Sequence, residues 1–163
     1  ALAFGGQASS DNLTNVESWN GSSWTEIAEI NTGRSEDPGG GGSNTSAIMF
    51  GGNPSVNNTE IWNGTSWTEV NNLNTGREGL AGAGFSSSAL AIGGGPSANA
   101  KTEFWNGTSW TEMNDLSTAR RMPGGGAAAV SCLAISGLNS SNSEIANTEE
   151  WTSSITNTTI TAS

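Results

Sequence analysis

The phrase WNGTSWTE occupies residues 62–69 and recurs letter for letter at 105–112, with a near copy, WNGSSWTE, at 19–26. Its leading tryptophans, Trp19, Trp62 and Trp105, stand 43 residues apart, and Trp151 follows after 46. A fixed step of this size restricts the chain to an array of small units, each of which buries its apolar face by stacking on a neighbour. Two more phrases keep the step. An apolar run ending in two glycines appears as ALAFGG at 1–6, AIMFGG at 47–52 and ALAIGG at 89–94, with a worn CLAISG at 132–137. TGR ends at Arg34 and Arg77, and TAR at Arg120. Residues 1–163 therefore read as a single repeat domain of about four units, approximately 1–46, 47–88, 89–131 and 132–163.

Within a unit the period is two. Leu2 and Phe4 fall on one face of an extended strand and the alanines between them on the other. Ile48 and Phe50, Leu90 and Ile92, and Leu133 and Ile135 repeat the large face, with Ala47 and Met49, Ala89 and Ala91, and Cys132 and Ala134 on the small one. Both faces are apolar, so both are expected to be buried, the large face of one sheet against the small face of the next. Cys132 takes an alanine slot and reads as a core thiol.

Asn-Gly between strand-forming residues is a hairpin signal, and a two-residue type I′ turn is the first expectation for Asn63-Gly64. A four-residue loop would place Trp62 directly opposite Trp67 instead. Either register puts both indoles on one face. Burying an indole removes roughly 200 Å² from water, at most ~5 kcal/mol. Hydrophobic residues are only 33% of this chain, so it needs that energy for folding. Trp19, Trp24, Trp62, Trp67, Trp105, Trp110 and Trp151 are therefore assigned to the scaffold, in preference to a row of rings stacking on sugars. Around the third copy of the repeat four strands follow, at 79–85, 89–92, 102–106 and 109–113. The first is rich in small residues, which suits the crowded centre of a radial assembly.

A double glycine after an apolar strand, an aromatic at a fixed distance, a second tryptophan, and an arginine before the next glycine-rich strand resemble the kelch repeat. The wording TE-x-WNGTSWTE with N-T-G-R is similar to kelch-like arrays of marine bacteriophage proteins. The resemblance implies an all-β fold of kelch-type β-propeller blades, four-stranded and antiparallel, with about four blades present. It departs at the first tryptophan, which kelch repeats usually fill with tyrosine, and at Ser136, which replaces a glycine. Unit one lacks its first strand. Propellers run from about four to eight blades, so residues 156–162 would supply it and close a four-bladed ring, or the chain is the C-terminal part of a larger propeller; the resemblance implies the larger ring, since kelch rings typically have more blades than four.

A formal charge of −10 with five basic residues argues against nucleic acid as a partner. Membrane insertion is not expected either, since no apolar run reaches the length of a span. Glu17, Glu60, Glu103 and Glu149 stand two before the first tryptophan, and Glu26, Glu69 and Glu112 two after the second. Arg34, Arg77 and Arg120 are read as bridges between units, through these glutamates or backbone carbonyls. The chain has no histidine or tyrosine. That removes histidine-dependent nucleophiles and the copper site of kelch-type oxidases. The expectation is no enzyme, no metal and no cofactor.

The loops between second and third strands, QASSDNLTN, NPSVNN, GPSANAK and LNSSNSEIAN, differ in length and content on a copied frame. Loops free to vary on a fixed scaffold are where binding residues usually sit. Asp11, Asn12, Asn57, Asn58, Asn99, Lys101, Arg121 and Asn142 are the candidates. The expected function is adhesion: a propeller on a virion or extracellular surface, binding a host cell-surface glycan or protein, with other virion proteins and a homo-oligomer as further partners. An interaction scaffold within a larger kelch protein and a glycan-acting enzyme are the alternatives.

Overall fold

The computed structural model describes residues 1–153 and 158–162, and no helix occurs among them. Three sheets are four-stranded and antiparallel, joined in chain order. They are β6 (Gly39–Gly42) to β9 (Trp67–Val70) by way of β7 (Ala47–Phe50) and β8 (Thr59–Trp62); β10 (Ala81–Phe85), β11 (Ser88–Ile92), β12 (Thr102–Trp105) and β13 (Trp110–Glu112); and β14 (Gly124–Ala128), β15 (Ser131–Ile135), β16 (Thr148–Ser153) and β17 (Thr158–Ala162). The opening sheet has three strands, β1 (Leu2–Phe4), β4 (Val16–Trp19) and β5 (Trp24–Glu26), with a small hairpin of β2 (Gln7–Ala8) and β3 (Asp11–Asn12) in its first loop. Each four-stranded sheet begins at its glycine-rich strand, so the units spelled from the alanine-led phrase straddle two sheets. β17 pairs with β16, Ile160 opposite Trp151, and is the last strand of its own sheet. It does not complete the first sheet, which excludes the four-bladed closure.

Sheets stack large face on small face. Leu2 and Phe4 pack with Ala47, Met49, Trp62 and Trp67. Ile48 and Phe50 pack with Ala89, Ala91, Trp105 and Trp110. Leu90 and Ile92 pack with Cys132, Ala134 and Trp151. The expectation that both faces are buried fails at the first and last of the described sheets, on whose outer faces no further sheet stacks among the described residues. Leu133 and Ile135 are 41% and 44% exposed, and Trp24 is 48% exposed against 6% for Trp67 and Trp110. β6, β10 and β14 lie side by side at the inner edge. Their small residues follow from that approach, since a Cβ on Gly82 would run into the backbone of Gly40.

The Asn-Gly turn is the four-residue form. Trp62 pairs directly with Trp67, and Trp105 with Trp110. Asn63 works through its side chain rather than through a left-handed backbone: Oδ1 accepts the N–H groups of Thr65 and Ser66, both at 2.9 Å. Gly64 alone takes positive φ, at 95°. An Asx-type bond of this kind stabilises a wider loop than the type I′ pair needs. The indoles of each pair then sit 5.5 Å apart between centroids, tilted, on one face.

Both rings of a pair are used by the fold. The first donates to the turn after its own sheet's glycine strand: Trp62 Nε1 to the Asn44 carbonyl at 2.9 Å, Trp105 to Ser86 at 2.8 Å, Trp151 to Ala129 at 3.0 Å. The second packs edge-on against the preceding sheet, Trp67 on Phe4 and Trp110 on Phe50. Trp110 Nε1 also donates to Thr59 Oγ1 at 2.9 Å.

Candidate binding face

The recurrent arginine builds the face. Its guanidinium reaches forward into the next sheet, where one nitrogen holds both stems of the loop between second and third strands. Arg34 NH1 donates to the carbonyls of Gly51 and Asn58 at 3.2 and 2.9 Å. Arg77 holds Gly93 and Lys101 at 2.7 and 2.8 Å, and Arg120 holds Ser136 and Asn147 at 3.0 and 2.7 Å. The other terminal nitrogen pairs with a buried glutamate: Glu60 at 2.6 Å, Glu103 at 2.9 Å and Glu149 at 2.6 Å. Burial pulls the Arg34 and Arg77 guanidiniums below their ordinary pKa, against the opposing pull of Glu60 and Glu103. A planar fork that stays charged suits such a site.

The glutamate is enclosed in turn by the N-T-G-R phrase. Glu60 Oε2 accepts both N–H and Nδ2 of Asn31, at 2.7 and 2.8 Å, and Oε1 accepts Thr32 N–H at 3.2 Å. Asn74 treats Glu103 likewise at 2.7 and 2.9 Å. In the last sheet the N–H of Ser117 serves Glu149 at 2.6 Å. These asparagines are the part of the lock that sequence reasoning missed. Their signal was present, because Asn precedes TGR in both perfect copies. Glu17, by contrast, occupies the same repeat position on the end sheet and is exposed.

Behind the guanidinium, the arginine backbone serves the preceding sheet. The carbonyls of Arg34, Arg77 and Arg120 accept the N–H of Gly6, Gly52 and Gly94 at 2.9, 2.8 and 2.9 Å. The same oxygens would lie only 2.5, 2.6 and 2.7 Å from a Cβ placed on Gly5, Gly51 and Gly93. Those glycines adopt φ of 68°, 68° and 62°. The double glycine is thus a seat for the arginine that ends the same unit's TGR or TAR phrase. In the last sheet Ser136 holds the same left-handed conformation, φ 56°. Among the described residues no arginine carbonyl is seated on it, and its side chain is exposed.

The eight candidates divide by what their side chains already do. Asn12 is half-buried and bridges sheets, its Nδ2 donating to the Asn53 carbonyl at 3.0 Å and its Oδ1 accepting Ser35 Oγ at 2.6 Å. Asn58 donates to Glu69 at 2.7 Å, and in the following sheet Lys101 pairs with Glu112 at 3.3 Å at the equivalent positions. Asn99 accepts the N–H of Lys101 at 2.8 Å. These four shape the loops. Asp11 and Asn57 are exposed at loop tips, and Arg121 reaches exposed Asn142 at 2.7 Å. The free surface of the face is therefore made of Asp11, Asn57 and the Arg121–Asn142 pair. These do not converge on one pocket; they lie on the loops of successive sheets.

Antiparallel four-stranded sheets stacked face to face around glycine-rich inner strands define an all-β, propeller-like architecture in which the sheets are blades. The comparison with solved structures agrees with that class. The structure of YjhT superposes with a TM-score of 0.77 at 14% identity, covering 92% of this chain and 52% of that one. The chain thus spans about half the length of that protein, and the likeness is one of fold. No family model and no curated protein matches.

Proposed function

We propose that this chain is a non-enzymatic adhesive module, a kelch-type propeller segment carried on a bacteriophage particle, which recognises a host surface glycan or protein through the loops between second and third strands. One observation carries the reading. The stems of these loops are gripped identically by Arg34, Arg77 and Arg120, while the segments between the stems differ in length and composition. Such a frame separates fold from recognition: the clamps hold each of the three later loops in place whatever its tip displays. Asp11, Asn57, Arg121 and Asn142 offer donors and acceptors of both charges to a polar surface. Cys132 suits a core role rather than a chemical one, since burial raises its pKa to about 11.

Single contacts of this kind are weak, so useful affinity comes from several copies on one particle. The test is a loop exchange. Replacing residues 53–58 with the sequence of 95–101 keeps both stem carbonyls for Arg34 and should leave the unfolding midpoint close to that of the parent. Binding to host cells or to an array of surface glycans should change. If binding is unaltered by the exchange and lost on shortening the Asn63–Ser66 turn at the opposite end of the blades, the proposed face is wrong.

A further inference from the structure

The two ends of the blades differ in charge. The end that carries the proposed binding loops holds exposed acids: Asp11, Glu36 and Asp37 stand in its loops, and Glu26, Glu69 and Glu112 reach the loop stems at Asn15, Asn58 and Lys101. The opposite end, among the described residues, is made of six turns, 20–23, 43–46, 63–66, 85–88, 106–109 and 128–131, and none of them contains a charged residue. These turns adjoin one another. A Cβ on Gly64 would lie 3.2 Å from the Thr45 carbonyl oxygen, and one on Gly107 3.1 Å from that of Ser87, so the Asn-Gly turn sits against the inner turn of its own blade. Between blades, Ser46 Oγ meets Ser86 Oγ at 2.7 Å, and Asn71 Nδ2 donates to the Thr108 carbonyl at 2.8 Å.

Two of the inner turns break the polar pattern. By register, Phe85 stands where the neighbouring blades have Ser43 and Ala128, and Val130 stands where they have Thr45 and Ser87. Both are more than half exposed, at 54% and 51%. Phe85 belongs to a sheet packed on both sides, so its exposure is not that of an outer face. The two turns touch: a Cβ on Gly84, the residue before Phe85, would lie 3.0 Å from the Cβ of Ala129, the residue before Val130. An apolar spot thus sits at the inner edge of a surface of hydroxyls and carboxamides. An aromatic centre with an uncharged polar surround is the composition of a protein contact.

We propose that this charge-free end is a twofold contact between two copies of the chain, with Phe85 and Val130 of each copy at its centre. Charge selects a second copy as the occupant. Chains at a formal −10 repel one another, and this end lets two of them meet without bringing like charges together. Hydroxyl and carboxamide groups both donate and accept hydrogen bonds, so the surface is complementary to itself, as a contact between identical patches requires. The binding loops of both copies then face outward. That arrangement supplies the multiple copies on which the adhesive reading relies, but it is measured without any ligand, so either can fail alone.

Sedimentation equilibrium of the 163-residue chain, at concentrations rising to about 1 mM, is the test. The expected result is a reversible dimer that tightens as salt is raised, because screening weakens the repulsion between the acidic bodies. Phe85→Ser, which installs the residue that the preceding blade has at this position, should weaken dimerisation at least about tenfold and leave the unfolding midpoint unchanged. Val130→Thr should act in the same direction. Leu133→Ser, on the outer face of the last sheet, should dimerise like the parent. A monomer throughout, association weakened by salt, a dimer that survives Phe85→Ser, or one lost in Leu133→Ser would each overturn the proposal.

Discussion

One strand position, three residues before the first tryptophan of a blade, is occupied by Val16, Thr59 and Thr102, and the structure assigns these residues three different situations. Thr59 Oγ1 accepts the indole N–H of Trp110 from the next blade at 2.9 Å. Trp67 should find the same acceptor one blade earlier, but Val16 stands there and Trp67 Nε1 is buried without a partner. Thr102 has the hydroxyl and lacks the indole, because the last blade has no second tryptophan, and its Oγ1 is also buried without a partner. A cavity of about 10 Å³ lined by Thr102, Ile92, Leu116 and Trp151 lies beside it. Two orphaned atoms are thus the halves of one hydrogen bond, separated by substitutions in the repeat.

Valine and threonine have nearly the same shape, so exchanging them changes mainly the hydrogen bonding. Thr59→Val strands a desolvated indole N–H and should cost about 1–3 kcal/mol. Val16→Thr gives Trp67 an acceptor where desolvation is already incurred; about 0.5–1.5 kcal/mol of stabilisation is expected, less the cost of burying the hydroxyl. Thr102→Val removes an unpartnered buried hydroxyl and should stabilise by about 1 kcal/mol. Urea unfolding followed by Trp fluorescence measures all three. Chemically identical changes at 59 and 102 should move the midpoint in opposite directions. Equal shifts of the same sign would refute the reasoning.

Arg77→Lys keeps the charge but loses the fork that grips Gly93, Lys101 and Glu103, and should destabilise by about 3–5 kcal/mol, read from the same urea curves. Gly51→Ala combines a φ of 68° with a carbonyl 2.6 Å from the new Cβ, so a loss of about 2–4 kcal/mol is expected. Ser136→Gly, at the equivalent position without a seated arginine, should stay within about 1 kcal/mol of the parent in thermal melts. Cys132 should resist an aromatic disulfide reagent at pH 8 in the native state and react on unfolding. Its pKa rises from 9.0 to about 11 on folding. The thiol is protonated in both states below pH 9, ionises only in the unfolded chain between about pH 9 and 11, and so lowers stability across that window. The Cys132→Ala variant should lose that part of the alkaline destabilisation.

The strands, the stacking rule and the scaffold role of the arginine were legible in the sequence because each rests on local or repeated information. Period-two alternation in AIMF and ALAI marks faces whatever the neighbours are. Asn-Gly marks a turn because its chemistry reaches only a few residues along the chain. Even there the register was open, since Asn63 can act through its backbone or its side chain, and only the finished hairpin shows Oδ1 holding Thr65 and Ser66. The particular partners between blades were not legible: the arginines were expected to bridge units through the recurrent glutamates or backbone carbonyls, with no sign of which. The Trp110–Thr59 bond spans 51 residues, and the Arg77–Glu103 pair 26. Their partners are set by how one sheet sits on the next, which no spacing within a unit states. For the same reason the candidates Asn12, Asn58, Asn99 and Lys101 looked like free polar loop residues until packing showed their side chains engaged. The repeat by itself determined what each blade is made of. Only the stacked structure decided which glycine seats which arginine, because the atoms that forbid a side chain at Gly51 belong to Arg77 of the adjoining loop, brought close by stacking.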